Sequence, residues 1–251
     1  MNRYNTAMRI AAISDIHGNL AALDAVLTDI RARGADVIVN LGDIVSGPLE
    51  PAETADLLMG LSLPTIRGNH ERQLMGEPAG MGKSDRYAHG VLAPRHFAWI
   101  AALPATLRLN DEVFLCHGTP ASDMTYFLEE VDDAGSRAAS KPKVAEYAGD
   151  IGASLILCGH SHLPRAVRLD DGRLIVNAGS VGLQAYDWDV PKLHKMENGT
   201  PHTRYVLIEK TASGWRPDFI ALEYDWEYAA RQADARARPD WAVALRTGFA
   251  D

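Results

Sequence analysis

Two histidines one residue apart, His160 and His162, end the apolar run LILCGHSHLP at residues 155–164. Residues two apart in an extended segment project to the same side, so both imidazoles can address one point in space. Neutral imidazole is the commonest metal ligand, which makes a bound ion the first chemistry to consider. A polar loop closing a buried strand is the simpler alternative for either histidine alone. Similar endings recur, however: Asp15-Ile16-His17, Gly42-Asp43, Gly68-Asn69-His70-Glu71 and His117-Gly118 each follow an apolar run. An Asp or Asn after a strand is usually a helix cap, but five endings all drawn from Asp, Asn and His exceed what capping needs. Oxygen and nitrogen donors without thiolate suit borderline divalent ions such as Mn, Fe, Co, Ni or Zn and argue against an iron–sulfur cluster.

The elements that must position these residues read as alternating strands and helices. Residues 9–13 form an apolar run, and Leu20, Leu23, Val26, Leu27 and Ile30 recur at helical spacing over 19–33. A strand at 36–41, a helix at 51–61 and a strand at 64–67 repeat the pattern. Further along, the spacing predicts a loop at 76–84, a helix at 86–102, a strand at 113–116, an irregular acidic insertion at 119–140, a helix at 143–152 and the strand 155–158. Two hairpins follow, one through Asp171-Gly172 and one pairing 204–209 with 218–223 through Ser213-Gly214. This alternation predicts βαβ units and a parallel or mixed sheet, whose ligands gather at the carboxyl ends of the strands.

With 251 residues and no linker or internal repeat, the chain reads as one domain, 1–251, carrying a helical extension at about 225–251 that Pro239 breaks. Its 25 Lys+Arg against 33 Asp+Glu give a net charge of −8, which argues against a duplex DNA binder, since that task needs a cationic face. An acidic chain can still handle phosphate if a bound cation supplies the positive charge. Cys116 and Cys158 lie in apolar runs and read as core thiols. The first residues lack an apolar leader, and no run approaches the roughly 20 apolar residues of a membrane span. A cytoplasmic protein with no membrane partner is therefore expected.

The ordered set DIH, GDIV, GNHE, CHG and GHSH resembles the calcineurin-like metallophosphoesterase superfamily, and IAAISDIHGNLAAL with NAGSVG is most similar to its small bacterial phosphodiesterase branch. The resemblance implies an α/β fold of two mixed β-sheets packed as a sandwich and flanked by helices in four layers, αββα. It implies a binuclear centre in which Asp15, His17 and His162 hold one ion, Asn69, His117 and His160 the other, and Asp43 bridges both. Mn or Fe is favoured among the divalent transition metals. The implied activity is hydrolysis of small phosphodiesters or dinucleoside polyphosphates by a metal-bridged hydroxide, with Asp43 and His70 as catalytic residues and His70 orienting phosphate or protonating the leaving group. The alternatives are a phosphomonoesterase acting on a nucleotide or sugar phosphate, and a non-catalytic metal-binding scaffold of the kind found in a retromer-coat subunit that resembles this family.

The second motif departs from the family's protein phosphatases and symmetrical dinucleoside tetraphosphate hydrolases, which continue it after two residues into Asp-Arg-Gly; here Ser46 and Gly47 stand in the Asp and Arg places, which argues against a phosphoprotein phosphatase. The carboxylate that would orient His70 and the arginine that would grip phosphate are absent there. Arg67 could reach phosphate or end its strand as a solvated cap, and Glu71 reads as a helix-start residue. The turn NAGSVG, 177–182, could offer backbone N–H groups to an anion or be a plain strand-to-loop turn. Tyr186 and Trp188 within 185–199 suit stacking on a base, or contact with a second copy in a homo-oligomer. His89, His96, His194 and His202 fit no motif and read as surface or packing residues. The insertions 76–112, 119–142 and 183–203 would shape the choice of substrate.

Overall fold

The computed structural model describes residues 8–251; the N-terminal stretch read above for a leader lies largely outside them, at residues 1–7. In chain order the elements are β1 (Arg9–Ile13), α1 (Leu20–Arg33), β2 (Val37–Asn40), α2 (Pro51–Leu61), α3 (Asn69–Leu74), α4 (Lys83–Val91), α5 (Pro94–Ala102), β3 (Thr106–Asn110) and β4 (Val113–Cys116). There follow β5 (Glu129–Asp132), β6 (Gly135–Ala138), α6 (Lys141–Ala148), β7 (Leu155–Cys158), β8 (Arg165–Arg168), β9 (Leu174–Asn177), β10 (Ala185–Trp188), β11 (His194–Glu197), β12 (Thr203–Thr211), β13 (Gly214–Leu222), α7 (Trp226–Ala235) and α8 (Pro239–Thr247).

Alternation along the strands sets the layers. Ile10 and Ala12 of β1 face one core while Ala11 and Ile13 face another, and all four are fully buried. A strand buried on both faces belongs to a sheet covered on both sides. One sheet runs β13-β12-β1-β2, with β1 and β2 parallel; the other runs β3-β4-β7-β9-β8, with β4, β7 and β9 parallel. Between them Ile10, Val39, Val113, Leu115, Leu157, Val176 and Ile208 form the shared core. Outside the first sheet α1 buries Leu23, Val26, Leu27 and Ile30, and outside the second α6 buries Val144 and Ala148 against Phe114, Cys116, Ile156 and Cys158. The four-layer αββα sandwich follows, and both cysteines are core thiols whose ionisation burial pushes up.

Several local expectations need correction. Residues 64–67 make only a single parallel bridge, Asn40 to Thr65, because Pro64 has no N–H to extend the ladder. The helix expected over 86–102 is two, α4 and α5, divided where Pro94 occupies the first position of α5. The acidic insertion carries the hairpin β5–β6, and the aromatic stretch 185–199 carries β10–β11. The C-terminal segment breaks at Pro239 as expected, and α7 and α8 pack Ala230, Ala233, Trp241 and Leu245 against Leu49, Leu183 and Ala185.

Two loops meet closely where the sheets end. Gly182 donates its N–H to the Asp15 carbonyl at 2.9 Å, and a Cβ on Gly182 would overlap the Ile16 carbonyl. Since backbone cannot yield as a side-chain tip does, Gly182→Ala should destabilise the protein by about 1–3 kcal/mol. Urea denaturation measures this, and an unchanged midpoint would show that the two loops can part freely.

Candidate dimetal centre

Most of the motif residues follow strand ends. Asp15 and His17 follow β1, Asp43 follows β2, His117 follows β4, and His160 and His162 follow β7, while Asn69 and His70 open α3. Asp15, His17, Asp43, His160 and His162 have φ of 53°, 52°, 53°, 70° and 61°. Among the other described non-glycine residues only Ser62 and Ala237 are left-handed. That conformation costs roughly 1–2 kcal/mol per residue for an L side chain, so surrounding bonds must impose it. They do: Asp15 N–H donates to the Gly42 carbonyl and His17 N–H to the Asp43 carbonyl, both at 3.0 Å, and Ser180 Oγ donates to the Asp15 carbonyl at 2.8 Å. Glu71, fully buried, accepts from the N–H groups of Asp43 (2.8 Å), Ile44 (2.7 Å) and Gly68 (2.9 Å). It is thus more than a helix-start residue, because it ties the Asp43 loop to the Asn69 loop.

The imidazoles are oriented so that their ring nitrogens converge. His17, His117 and His162 each direct Nδ1 at a backbone carbonyl, of Ser46, Leu41 and Leu183 respectively, all at 2.8 Å. A carbonyl only accepts, so each Nδ1 carries the proton and each Nε2 faces inward. His17 Nε2 and His162 Nε2 lie 3.1 Å apart. Burial, reinforced by His162, lowers His17 to about 4, so the His17 ring is neutral at neutral pH. The Asn69 side-chain amide lies 3.1 Å from His117 Nε2, 3.0 Å from His160 Nδ1 and 3.3 Å from Asp43 Oδ2. Burial and then His117 lower His160 to about 4. Burial alone would lower His117, but Asp43 Oδ2 at 3.1 Å raises it to about 10; a proton holds that contact until a cation displaces it.

Two groups therefore emerge, Asp15 with His17 and His162, and Asp43 with His117 and His160; the donor atoms within each group lie within 4.8 Å of one another. Asp15 Oδ1, 3.4 Å from His162 Nε2 and 4.0 Å from His117 Nε2, lies near both. Burial would raise both aspartates, but the histidines overcome it and keep their carboxyls below the ordinary range. Converging oxygen and nitrogen acceptors with no thiolate fit two divalent cations.

The groups open onto a cavity of about 1210 Å³. His70 stands at its floor, its backbone N–H donating to Asp43 Oδ1 at 3.0 Å and its Nδ1 lying 2.8 Å from Asp85 Oδ1. An orienting carboxylate is therefore present after all, from α4 instead of position 46. Burial alone would lower His70, but Asp43 and Asp85 together raise it to about 9. Tyr126 stacks on His160 at 4.8 Å, and Tyr186, edge-on to His162 at 4.7 Å, donates its hydroxyl to the His160 carbonyl at 3.0 Å. Tyr186 thus packs on the ligand candidates, while Trp188 at the rim is 45% exposed.

NAGSVG is the plain turn and not an anion nest. The N–H groups of Ala178, Gly179, Val181 and Gly182 are taken by the Cys158 carbonyl, Asn177 Oδ1 and the Ser14 and Asp15 carbonyls. Arg67 is not among the residues that line the cavity. His96 and His194 are buried, bonded to Asp56 and Tyr126, and His89 and His202 are half-buried.

If the converging acceptors await cations, Mn²⁺ should raise the thermal midpoint of metal-stripped protein by mass action. Asp43→Asn should lose most of that rise in differential scanning calorimetry; an undiminished rise in the variant would remove Asp43 from the ion site.

The family model described as the calcineurin-like phosphoesterase superfamily domain matches residues 8–190. An uncharacterized protein of Methanocaldococcus jannaschii is 28% identical over 248 residues, spanning 92% of this chain and 94% of that protein. The structure is similar to a metallophosphoesterase from Sphaerobacter thermophilus, with a TM-score of 0.74 and 26% identity over 97% of this chain and 100% of that one. A hypothetical protein from Pyrococcus horikoshii shares the fold with a TM-score of 0.73 at 18% identity and the same coverage. The residues from Asp15 to His162 all fall inside the matched span, and the chain belongs to the calcineurin-like phosphoesterase superfamily.

Proposed function

We propose that this chain is a dimetal-dependent hydrolase of small phosphodiesters or dinucleoside polyphosphates. The observation that carries the reading is the convergence of buried donor atoms in two adjoining groups, Asp15 with His17 and His162, whose Nε2 atoms lie 3.1 Å apart, and Asp43 with His117 and His160. In this reading Asp15, His17 and His162 hold one ion, Asn69, His117 and His160 hold the other, and Asp43 serves both; Mn or Fe is favoured. Bound there, such ions supply charge for the phosphoryl oxygens and lower the pKa of an attacking water. No side-chain nucleophile is called for, which accords with the burial of both cysteines.

The rest of the work belongs to the chain. His70 directs Nδ1 at Asp85, which leaves Nε2 to donate a proton to the departing ester oxygen. Asp85 holds the ring in place and favours the protonated form, as Asp43 also does. Because coordinated ions would offset the Asp43 charge, Asp85 is the partner whose influence persists in the loaded site. A cavity of about 1210 Å³ with Tyr126, Tyr147 and Trp188 among its walls has room for groups on both sides of a diester. The net charge of −8 disfavours polymeric nucleic acid as substrate. Among the described residues no helix is long and apolar enough to cross a membrane, and we infer no membrane partner.

Metal-stripped protein titrated with Mn²⁺ should recover hydrolysis of a chromogenic phosphodiester at about two equivalents, faster than the matching monoester. A faster monoester would make it a phosphomonoesterase, and bound metal with neither activity would favour a scaffold. His70→Ala should lower kcat by about 10²–10⁴-fold on esters with poor leaving groups, and much less on nitrophenyl esters. Asp85→Asn should show the same leaving-group dependence in milder form. Equal losses on both ester types would contradict proton donation by His70.

A further inference from the structure

One wall of the cavity comes from the C-terminal helices, and it carries a cation that the catalytic reading leaves unused. Arg238, just ahead of α8, lines the cavity with only 13% of its side chain exposed. It is held on three sides. Its Nη1 donates to Ser84 Oγ at 2.8 Å, its Nε and Nη2 donate to Asp240 at 3.0 and 2.6 Å, and its guanidinium lies 5.4 Å over the Trp241 ring. Trp241 in turn stands edge-on to His17 at 5.9 Å and fills the space beside Gly47, where an added Cβ would meet its ring at 2.7 Å. Ser84 precedes Asp85, the partner of His70.

A guanidinium has five N–H donors. Among the described residues, one on Nη1 and one on Nη2 of Arg238 have no acceptor. Planar, fixed and mostly shielded from water, such a pair is suited to grip two oxygens of one oxyanion. The other lysine or arginine lining the cavity is Lys83, which is exposed. Arg238 hydrogen-bonds none of the ligand candidates and meets His17 only through Trp241. Its charge therefore stands outside the ligand shell, one aromatic ring removed from it.

Building on the phosphoesterase reading above, we propose that Arg238 binds a second phosphate group next to the scissile one. It is then a specificity residue that favours nucleoside polyphosphate esters over simple diesters. Asp240 and Ser84 hold its fork in place, and Trp241 gives it a flat support.

The test compares a dinucleoside polyphosphate with bis(p-nitrophenyl) phosphate on Mn²⁺-loaded protein, and adds calorimetric binding of inorganic pyrophosphate and inorganic phosphate. Arg238→Ala should raise KM for the polyphosphate and the dissociation constant for pyrophosphate about ten- to a hundredfold. KM for the simple diester and the affinity for phosphate should stay within about twofold. Should the alanine variant unfold early, Arg238→Lys carries the same test, since it keeps charge but loses the fork. Equal shifts for the one-phosphate and two-phosphate ligands, or none for either, would overturn the assignment. Wild-type protein that hydrolyses neither ester would instead sink the phosphoesterase reading, and the pyrophosphate comparison would still decide the role of Arg238.

Discussion

His17 Nε2 and His162 Nε2 face each other at 3.1 Å in a buried space, and much of the structure is explained by what forces them to stay there. The Asp15 and Asp43 carboxylates share the same buried space with the Asn69 amide. Crowding carboxylates and imidazoles away from water is costly unless a proton or a cation offsets their charge. That cost is contained by fully formed surroundings: three backbone carbonyls fix the rings through Nδ1, Glu71 locks two loops, and the sandwich core seals the strand ends. Left-handed backbone at five of these residues adds to the strain. A protein that maintains such an arrangement gives up stability at one point for the sake of binding.

The two sheets and the helices beyond them have different roles. Parallel strands β1 and β2 of one sheet, and β4 and β7 of the other, end side by side, so donors from four loops meet without any long excursion. The features that would choose a substrate come from outside that frame. Asp85 and Ser84 belong to α4, Trp188 to the β10–β11 hairpin, and Arg238 and Trp241 to the C-terminal pair. Changes in those segments can alter what is bound without disturbing the ion ligands, as is common where function sits on a fixed scaffold.

How much of this was legible in the sequence depended on range. The helices α1 and α2 and the strands β1, β2, β4 and β7 were readable because their apolar periods are local and strong. Asp15, His17, Asp43, His117, His160 and His162 were readable because they come just after such strands, and Asn69 and His70 because they follow the short apolar run at 64–67. The hairpins β5–β6 and β10–β11 were not, since their strands are only four residues long, too short for a period to stand out. The break before α5 was visible in Pro94 and was overlooked. Asp85 lies in the first turn of α4, where an acid is commonplace, and nothing local in the sequence links it to His70. NAGSVG reads equally as an anion nest or a plain turn until Ser14 and Asp15, far away in the chain, take N–H groups of it. Arg238 was equally hidden, because its neighbours in sequence say only that a helix begins at Pro239.

Anomalous diffraction from crystals of the Mn²⁺-loaded protein tests the central claim most directly. The account predicts two peaks, one coordinated by Asp15, His17 and His162, the other by Asn69, His117 and His160, with Asp43 in contact with both. A single peak, or ions bound elsewhere while His17 and His162 still face each other, would contradict it.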